Sequence, residues 1–208
     1  AGAPQKAMYL SCDAWLERGL LGDIDVEFRN AGGVLFGVKE YVPALMEYVE
    51  KYGIDLKLNQ TLAAVDGPAK KAVFKTEAGE ETVEFDMLHA VPPQVAPQFV
   101  ADSPLANAES GFVDVNKLTL QHVRYPNVFG LGDAGSTPNA KTMAAARKQA
   151  PIVAVNALTQ LDAKQPVADY DGYGSCPLTV ERGKIVLAEF GYDGKLLPSF
   201  PKWLIDGT

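Results

Sequence analysis

The stretch Asp23-Ile24-Asp25-Val26-Glu27-Phe28-Arg29-Asn30 puts Ile24, Val26 and Phe28 at every second position, the period of a half-buried β-strand. Before it, residues 4–20 read as a helix. Met8, Cys12, Trp15 and Leu16 form one apolar stripe, Pro4 suits the first turn, and Gly19 and Gly22 bracket the end. After it, Gly32-Gly33 break the chain. Val42, Leu45, Met46 and Val49 then predict a helix over about 39–52, with Pro43 near its first turn and Gly53 as its C-cap. A short strand at 54–58 follows. Three more are expected at about 61–66, 71–77 and 82–91, the last two joined by a turn at Ala78-Gly79-Glu80. Pro92-Pro93 ends the segment. This order is the signature of an α/β domain with parallel strands and a β-meander insert. A parallel βαβ unit opens with a strand, whereas Ala1-Gly2-Ala3-Pro4-Gln5-Lys6 reads as the loop after one. It is neither a signal peptide nor a start, so a truncated N-terminus is expected.

Residues 92–127 are looser, with Pro92, Pro93, Pro97, Pro104 and Pro126, and read as a connection between domains with short strands near 112–121. Val128-Phe129-Gly130-Leu131-Gly132-Asp133 reads as a buried strand ending in Gly-Asp. Small and polar residues 134–141 lead to a helix over about 142–161 that Pro151 should kink or divide. Tyr170-Asp171-Gly172-Tyr173-Gly174 is rich in turn residues. A hairpin with strands near 176–181 and 184–191 turns at Arg182-Gly183.

Composition narrows the function classes. The chain has 208 residues, 47% of them hydrophobic, enough for a real core and for one large or two small domains. Its net charge of −7 and pI near 4.9 make it a poor nucleic-acid partner, since phosphate contact needs clustered Lys and Arg. No apolar run reaches the ~18–20 residues of a membrane-spanning helix. Cys12 and Cys176 cannot form a disulfide framework, and with only His89 and His122 no metal site is expected.

The strongest motif is Asn127–Asp133 followed by a helix. A strand ending in Gly-Asp sets a carboxylate at the carboxyl edge of a sheet, where open α/β folds bind ligands. Gly132 permits close approach of a ligand to the backbone. Asp133 either accepts a hydrogen bond from a sugar-like hydroxyl or caps the next helix. The helix starting near Lys141-Thr142 favours negative charge at its N-terminus. Lys141 adds a positive charge there or simply faces solvent. Cys12 lies on the apolar stripe of the first helix and reads as core; Cys176, before Pro177 at a strand start, reads as structural. His122, close to Arg124-Tyr125-Pro126, is expected to order the approach to the Gly-Asp segment.

Several stretches, in order along nearly the whole chain, resemble the sulfide:quinone oxidoreductases, especially their mitochondrial-like branch and its bacterial relatives. They are Ala1–Lys6, Phe36-Gly37-Val38-Lys39, Met87–Pro93, Leu120–Asp133, Tyr170–Leu178 and Ile185–Phe190. Gly-Asp alone marks only the wider superfamily of flavoprotein disulfide reductases; Ala1–Lys6 and Tyr170–Tyr173 are more specific. The resemblance implies an FAD-dependent flavoenzyme about twice this length. This chain is then its C-terminal half, without the N-terminal FAD-binding half and its Gly-rich phosphate loop. Residues 1–91 would be a second dinucleotide-binding-like, Rossmann-type α/β domain lacking its first strand. Residues 92–208 would be the returning C-terminal part of the FAD domain with a membrane- and quinone-facing tail.

The resemblance further implies that sulfide opens a cysteine disulfide or trisulfide and that two electrons pass through FAD to quinone. Gly132, Asp133, Lys141, Thr142 and Pro93 would lie at the cofactor, with Asp133 on a ribityl hydroxyl. His89 is either a hydrogen-bonded core histidine at the end of the 82–91 strand or a group that passes protons to quinone. One redox cysteine of this branch would lie just upstream of Ala1. The other directly follows Gly-Asp, where this sequence carries Ala134. Two alternatives therefore stay open: an FAD oxidoreductase of the same superfamily that takes electrons from NADH or another donor, and a fragment that binds no flavin on its own. In the tail, Leu196, Leu197, Phe200, Trp203, Leu204 and Ile205 with Lys195 and Lys202 suit a membrane interface as well as a segment folded onto its own core. The implied setting is peripheral, on the cytoplasmic face of a bacterial membrane or at the mitochondrial inner membrane, with a second copy of the chain as a further partner.

Overall fold

The computed structural model describes residues 2–139 and 141–201. They form two compact units. The first comprises residues 1–92 together with the hairpin tip 177–187, and the second residues 93–176 and 188–208. The 92–208 segment thus does not form a unit by itself.

In the first unit, α1 (Gly2–Glu17) buries Gln5, Met8, Tyr9 and Cys12. The stripe predicted from sequence therefore faces the core as far as Cys12; Leu16 is exposed. Strand β1 (Glu27–Arg29) pairs in parallel with β2 (Asp55–Lys57), Phe28 opposite Leu56, and the crossover between them holds α2 (Val42–Lys51). Residues 21–23 form a 3-10 turn, so the strand is shorter than the alternation of residues 23–30 suggests. Leu45 and Val49 of α2 are buried, as are Tyr9, Tyr52, Leu35, Phe36 and Ile54. Gln5 donates to the Leu35 carbonyl at 2.7 Å and the Tyr9 hydroxyl to that of Leu45 at 3.1 Å, which satisfies polar atoms inside the core.

The meander is β3 (Thr61–Asp66), β4 (Lys71–Thr76) and β5 (Gly79–Glu84), all antiparallel. The expected 82–91 strand is corrected here. The turn is Glu77-Ala78, with Thr76 paired to Gly79, and β4 begins at Lys71 opposite Glu84, so β5 has no partner to continue against.

Arg29 ties the two sheets of this unit together. Its guanidinium donates to Glu81 at 2.7 and 3.1 Å, to Gln60 at 2.6 Å and to Glu27 at 2.8 Å, and stands 4.8 Å from the Phe74 ring centroid. Hydrogen bonds from Arg29 hold the Glu81 carboxyl below its ordinary range. Burial pushes Glu27 up, but hydrogen bonds from Arg29 and Lys57 outweigh it and the net is downward. Carboxyls with folded pKa values below the unfolded ~4.3 contribute stability that is complete above that value and lost as pH falls through the folded values. The melting temperature should therefore drop on acidification from about pH 5 to 3, and drop less steeply in Arg29→Met. Equal slopes would show that Arg29 does not set these carboxyls.

The tip of hairpin β6–β7 (Gly174–Glu181 and Lys184–Phe190) belongs to this unit as well. The Tyr52 hydroxyl donates to the Val180 carbonyl at 2.9 Å, Asp13 accepts from the Arg182 N–H at 2.8 Å, and Lys51 pairs with Glu181.

The second unit contains the short helix α3 (Gln98–Ala101) and the long α4 (Met143–Leu161). Neither the expected 112–121 strands nor the 128–133 strand forms; isolated bridges such as Val115 with His122 and Gln121 with Phe129 stand in their place. Asn116 causes the first interruption. Its side chain accepts from the N–H groups of Leu118 and Thr119, closing a turn that ends at Leu120 with φ 60°. Pro151 does not divide α4, which runs through it as one element. Buried Asn156 closes the other end of this helix region. It donates to the carbonyls of Thr119 and Ala168 and accepts from the N–H groups of Val167 and Ala168, each at 2.8 or 2.9 Å.

Candidate functional site

Gly132, Asp133 and Ala134 form a 3-10 turn instead of a strand end. The physical reason is local: Gly132 has φ 60°, which a strand cannot accommodate and which favours glycine. Gly130, just before, packs tightly: a Cβ there would sit 3.0 Å from a Val115 methyl and 3.2 Å from one of Val113, so these valines would have to shift to admit a side chain. The turn is then held by backbone, the Ala134 carbonyl accepting from the Val113 N–H at 2.9 Å.

Two side chains complete it. Gln149, buried in α4, accepts from the Gly132 N–H through Oε1 at 2.6 Å. The Lys141 ammonium donates to the carbonyls of Asp133, at 3.0 Å, and Gly135, and lies 3.9 Å from the Phe112 ring centroid. Burial pulls its pKa down, and the charge of Asp133 partly opposes this. Lys141 is thus neither a free solvent lysine nor a charge aimed outward. Thr142 caps α4, its hydroxyl accepting from the Ala145 N–H at 3.2 Å, and the Ala146 N–H takes the Thr142 carbonyl at 3.0 Å. The N–H groups of Met143 and Ala144 make no hydrogen bond among the described residues, as is usual for a first helical turn.

The Asp133 side chain is exposed, and nothing among the described residues hydrogen-bonds its carboxylate. It does not cap α4; Thr142 does. So the structure brings Gly132, Asp133 and Lys141 into one turn, with Thr142 next to it. Pro93 is exposed, and no hydrogen bond among the described residues joins it to the turn. His89 is also exposed, in an irregular stretch beyond β5, which overturns its reading as a core histidine at a strand end. His122 is buried. Its Nδ1 accepts from the N–H groups of Arg124 and Tyr125, and Nε2 lies 3.1 Å from the Leu105 carbonyl, which assigns the Nε2–H tautomer. Cys12 is buried, its thiol pushed up to about 11 by burial, so it is an inert core residue. Among the described residues no cluster could hold a metal ion. A cavity of about 400 Å³ in the second unit is lined by Asn116, Thr119, Gln121, His122 and Gln165, and not by the turn. In the tail, Leu196 and Phe200 are exposed and Leu197 half-buried; Trp203, Leu204 and Ile205 lie outside the described residues.

Sequence reasoning missed Gln149 and Phe112. Gln149 had one signal, an amide seven residues into a helix that is mostly apolar.

No family model matches the chain. Among curated proteins it is 41% identical over 201 residues to the mitochondrial sulfide:quinone oxidoreductase of Dictyostelium discoideum, covering 96% of this chain and 44% of that one. It is 39% identical to the protein of the same name from Mus musculus, over 97% of this chain and 45% of that one. Among solved structures, a chain of the Tetrahymena thermophila mitochondrial ATP synthase matches with a TM-score of 0.79 at 26% identity, over 96% of this chain and 49% of that one. The sulfide:quinone oxidoreductase of Aquifex aeolicus matches with a TM-score of 0.72 at 15% identity, over 97% of this chain and 58% of that one, a likeness of fold. The resemblance read from the sequence and the α/β class are borne out. The chain spans about half the length of the curated relatives it matches.

Proposed function

We propose that this chain supplies the Gly132–Gly135 turn and the start of α4 to an FAD-dependent oxidoreductase that carries electrons from sulfide, or a related sulfur species, to quinone. The observation that supports it is the identity of about 40% over nearly the whole chain to proteins named for that reaction.

The residues present fit the cofactor. An exposed carboxylate that nothing among the described residues hydrogen-bonds stands on a turn of small residues, beside a helix N-terminus whose N–H groups at Met143 and Ala144 have no hydrogen bond among the described residues. In this reading Asp133 accepts a ribityl hydroxyl and the N–H groups of Met143 and Ala144 face the anionic edge of the ring system. FAD, when bound, supplies the two-electron carrier between donor and quinone. Exposed Leu196 and Phe200 support a peripheral membrane contact, which would put the tail where a lipid-soluble quinone arrives. The relatives' names favour a mitochondrial setting over a bacterial one.

Ala134 supports a second reading, a relative that uses another electron donor. An assay of sulfide-dependent quinone reduction by the whole protein that carries this chain decides between them. Quinone reduced with sulfide and not with NADH is the expected result; the reverse would establish the second reading.

A further inference from the structure

Tyr170-Asp171-Gly172-Tyr173 and the end of β7 have no part in the function proposed so far, yet both meet the start of the tail within the second unit. Glu189 of β7 is a buried carboxylate. Its Oε1 accepts from the Tyr173 hydroxyl and, at 2.7 Å, from the Ser199 hydroxyl; its Oε2 accepts from the Ser199 N–H at 2.8 Å. Burial pushes this carboxyl up, but the hydrogen bonds from Tyr173 and Ser199 outweigh burial, so it lies below its ordinary range and is ionised at neutral pH. A buried carboxylate is tolerated where donors meet it, and here they come from both sides of the hairpin, Tyr173 before it and Ser199 in the tail.

The rest of the stretch seats the turn that joins β7 to the tail. The chain turns at Tyr192–Gly194 and folds back on the end of β7. The Gly191 N–H donates to the Lys195 carbonyl at 2.7 Å, Phe190 bridges Leu196, and the Leu197 N–H donates to the Glu189 carbonyl at 3.2 Å. The Tyr192 ring stands edge-on to Tyr170, with centroids 5.8 Å apart, and lies where a Cβ at Gly172 would overlap it. Gly172 also has φ 82°, which favours glycine. Tyr170 and Gly172 thus hold the turn, and Tyr173 holds the carboxylate that holds the tail. The fold-back leaves Leu196 and Phe200 facing outward, 41% and 48% exposed.

We infer that Glu189, ordered by Tyr173, is a positioning residue for the tail: by clasping Ser199 it presets Leu196 and Phe200 as an apolar edge for a lipid surface. Glu189 touches no lipid itself, so the inference rests on the peripheral membrane contact proposed above. Presetting acts on affinity because an unclasped segment loses its conformational freedom only on binding, and that loss weakens the complex. With a net charge of −7, the chain favours a zwitterionic surface over an anionic one.

The test reads two quantities in the whole protein that carries this chain: hydrogen exchange of the Ser199 amide and partitioning onto phosphatidylcholine vesicles. In the unsubstituted protein the Ser199 N–H should be protected, a reading independent of how any variant folds, and exchange as fast as in a free peptide would refute the clasp. Glu189→Gln, which removes the charge and one acceptor, should speed that exchange and weaken vesicle binding about tenfold. Tyr173→Phe, which keeps the ring and loses the hydroxyl, should do the same to a lesser degree. In a Leu196→Ser, Phe200→Ser background, Glu189→Gln should cost no further vesicle affinity, while Ser199 exchange still responds to it. Variants that speed exchange yet bind vesicles as the parent does would overturn the positioning role. A parent with Ser199 protected that does not bind vesicles would instead overturn the membrane contact, and the role of the clasp in docking with it.

Discussion

Asp133→Ala is expected to lower the FAD affinity of the whole flavoprotein ten- to a hundredfold and to leave its melting temperature nearly unchanged. The two halves of this result come from the same geometry. The carboxylate is exposed and nothing among the described residues hydrogen-bonds it, so its removal breaks no contact that holds the fold. What holds the turn is backbone, Gln149 and Lys141. A hydrogen bond from a ribityl hydroxyl to a charged acceptor contributes about 1.5–3 kcal/mol, and every ~1.4 kcal/mol is a factor of ten in affinity. Asp133→Asn keeps an acceptor without the charge and should fall between. The measurement is flavin retained after dialysis, alongside a thermal melt. Full retention would remove Asp133 from the site, and lost retention with a collapsed melt would show a structural role instead.

The α/β class was legible because its signals are local. The alternation around Val26 and Phe28, the apolar face of Leu45 and Val49, and the six-residue strands near 61–66 and 71–77 need no distant partner to be read. Strand ends were less legible, since they depend on the neighbour. Residues 85–91 carry strand-forming side chains, but β4 has ended by then and no edge remains to pair with. The Gly-Asp segment failed as a strand for a different reason. Its hydrophobic run is genuine, yet Gly130 is needed for close packing on Val113 and Val115, and Gly132 takes a left-handed φ. Those demands are set by contacts far away in sequence. Lys141 shows the limit most clearly. A lysine before a helix invites an electrostatic role, and only the placement of Phe112 and of the carbonyls of Asp133 and Gly135 reveals a charge spent inside the protein.

That placement changes what a cysteine at position 134 would experience. Ala134 is exposed, and only its backbone is engaged, so Ala134→Cys should fold as the parent does. The Lys141 ammonium sits on the carbonyls of the residues on either side, a fixed positive charge beside the new thiol. A neighbouring lysine depresses a thiol pKa; a fall from about 8.5 to about 7 raises the thiolate share at pH 7 more than tenfold. The thiolate is the form that exchanges with disulfides, although a lower pKa also makes each thiolate a weaker nucleophile. With a partner cysteine ahead of residue 1, as the resemblance implies, the variant can form the disulfide that sulfide opens. Hydrosulfide attack would break the cysteine S–S bond and form a new one in a persulfide, while the other cysteine leaves as a thiolate that keeps the electron pair; bound FAD would accept that pair once a nucleophile takes the outer persulfide sulfur and the disulfide re-forms. Sulfide-dependent flavin reduction, followed anaerobically by bleaching of the flavin absorbance, should therefore be slow in the parent and faster by about an order of magnitude in Ala134→Cys. Adding Lys141→Met to the cysteine variant should remove most of the gain at pH 7 and restore it at pH 9, because the thiol then ionises without help. Fast bleaching in the parent would mean that a second cysteine is dispensable. No gain in the variant at either pH would mean that the rest of the sulfur site is absent, and the reading with a different electron donor would take its place.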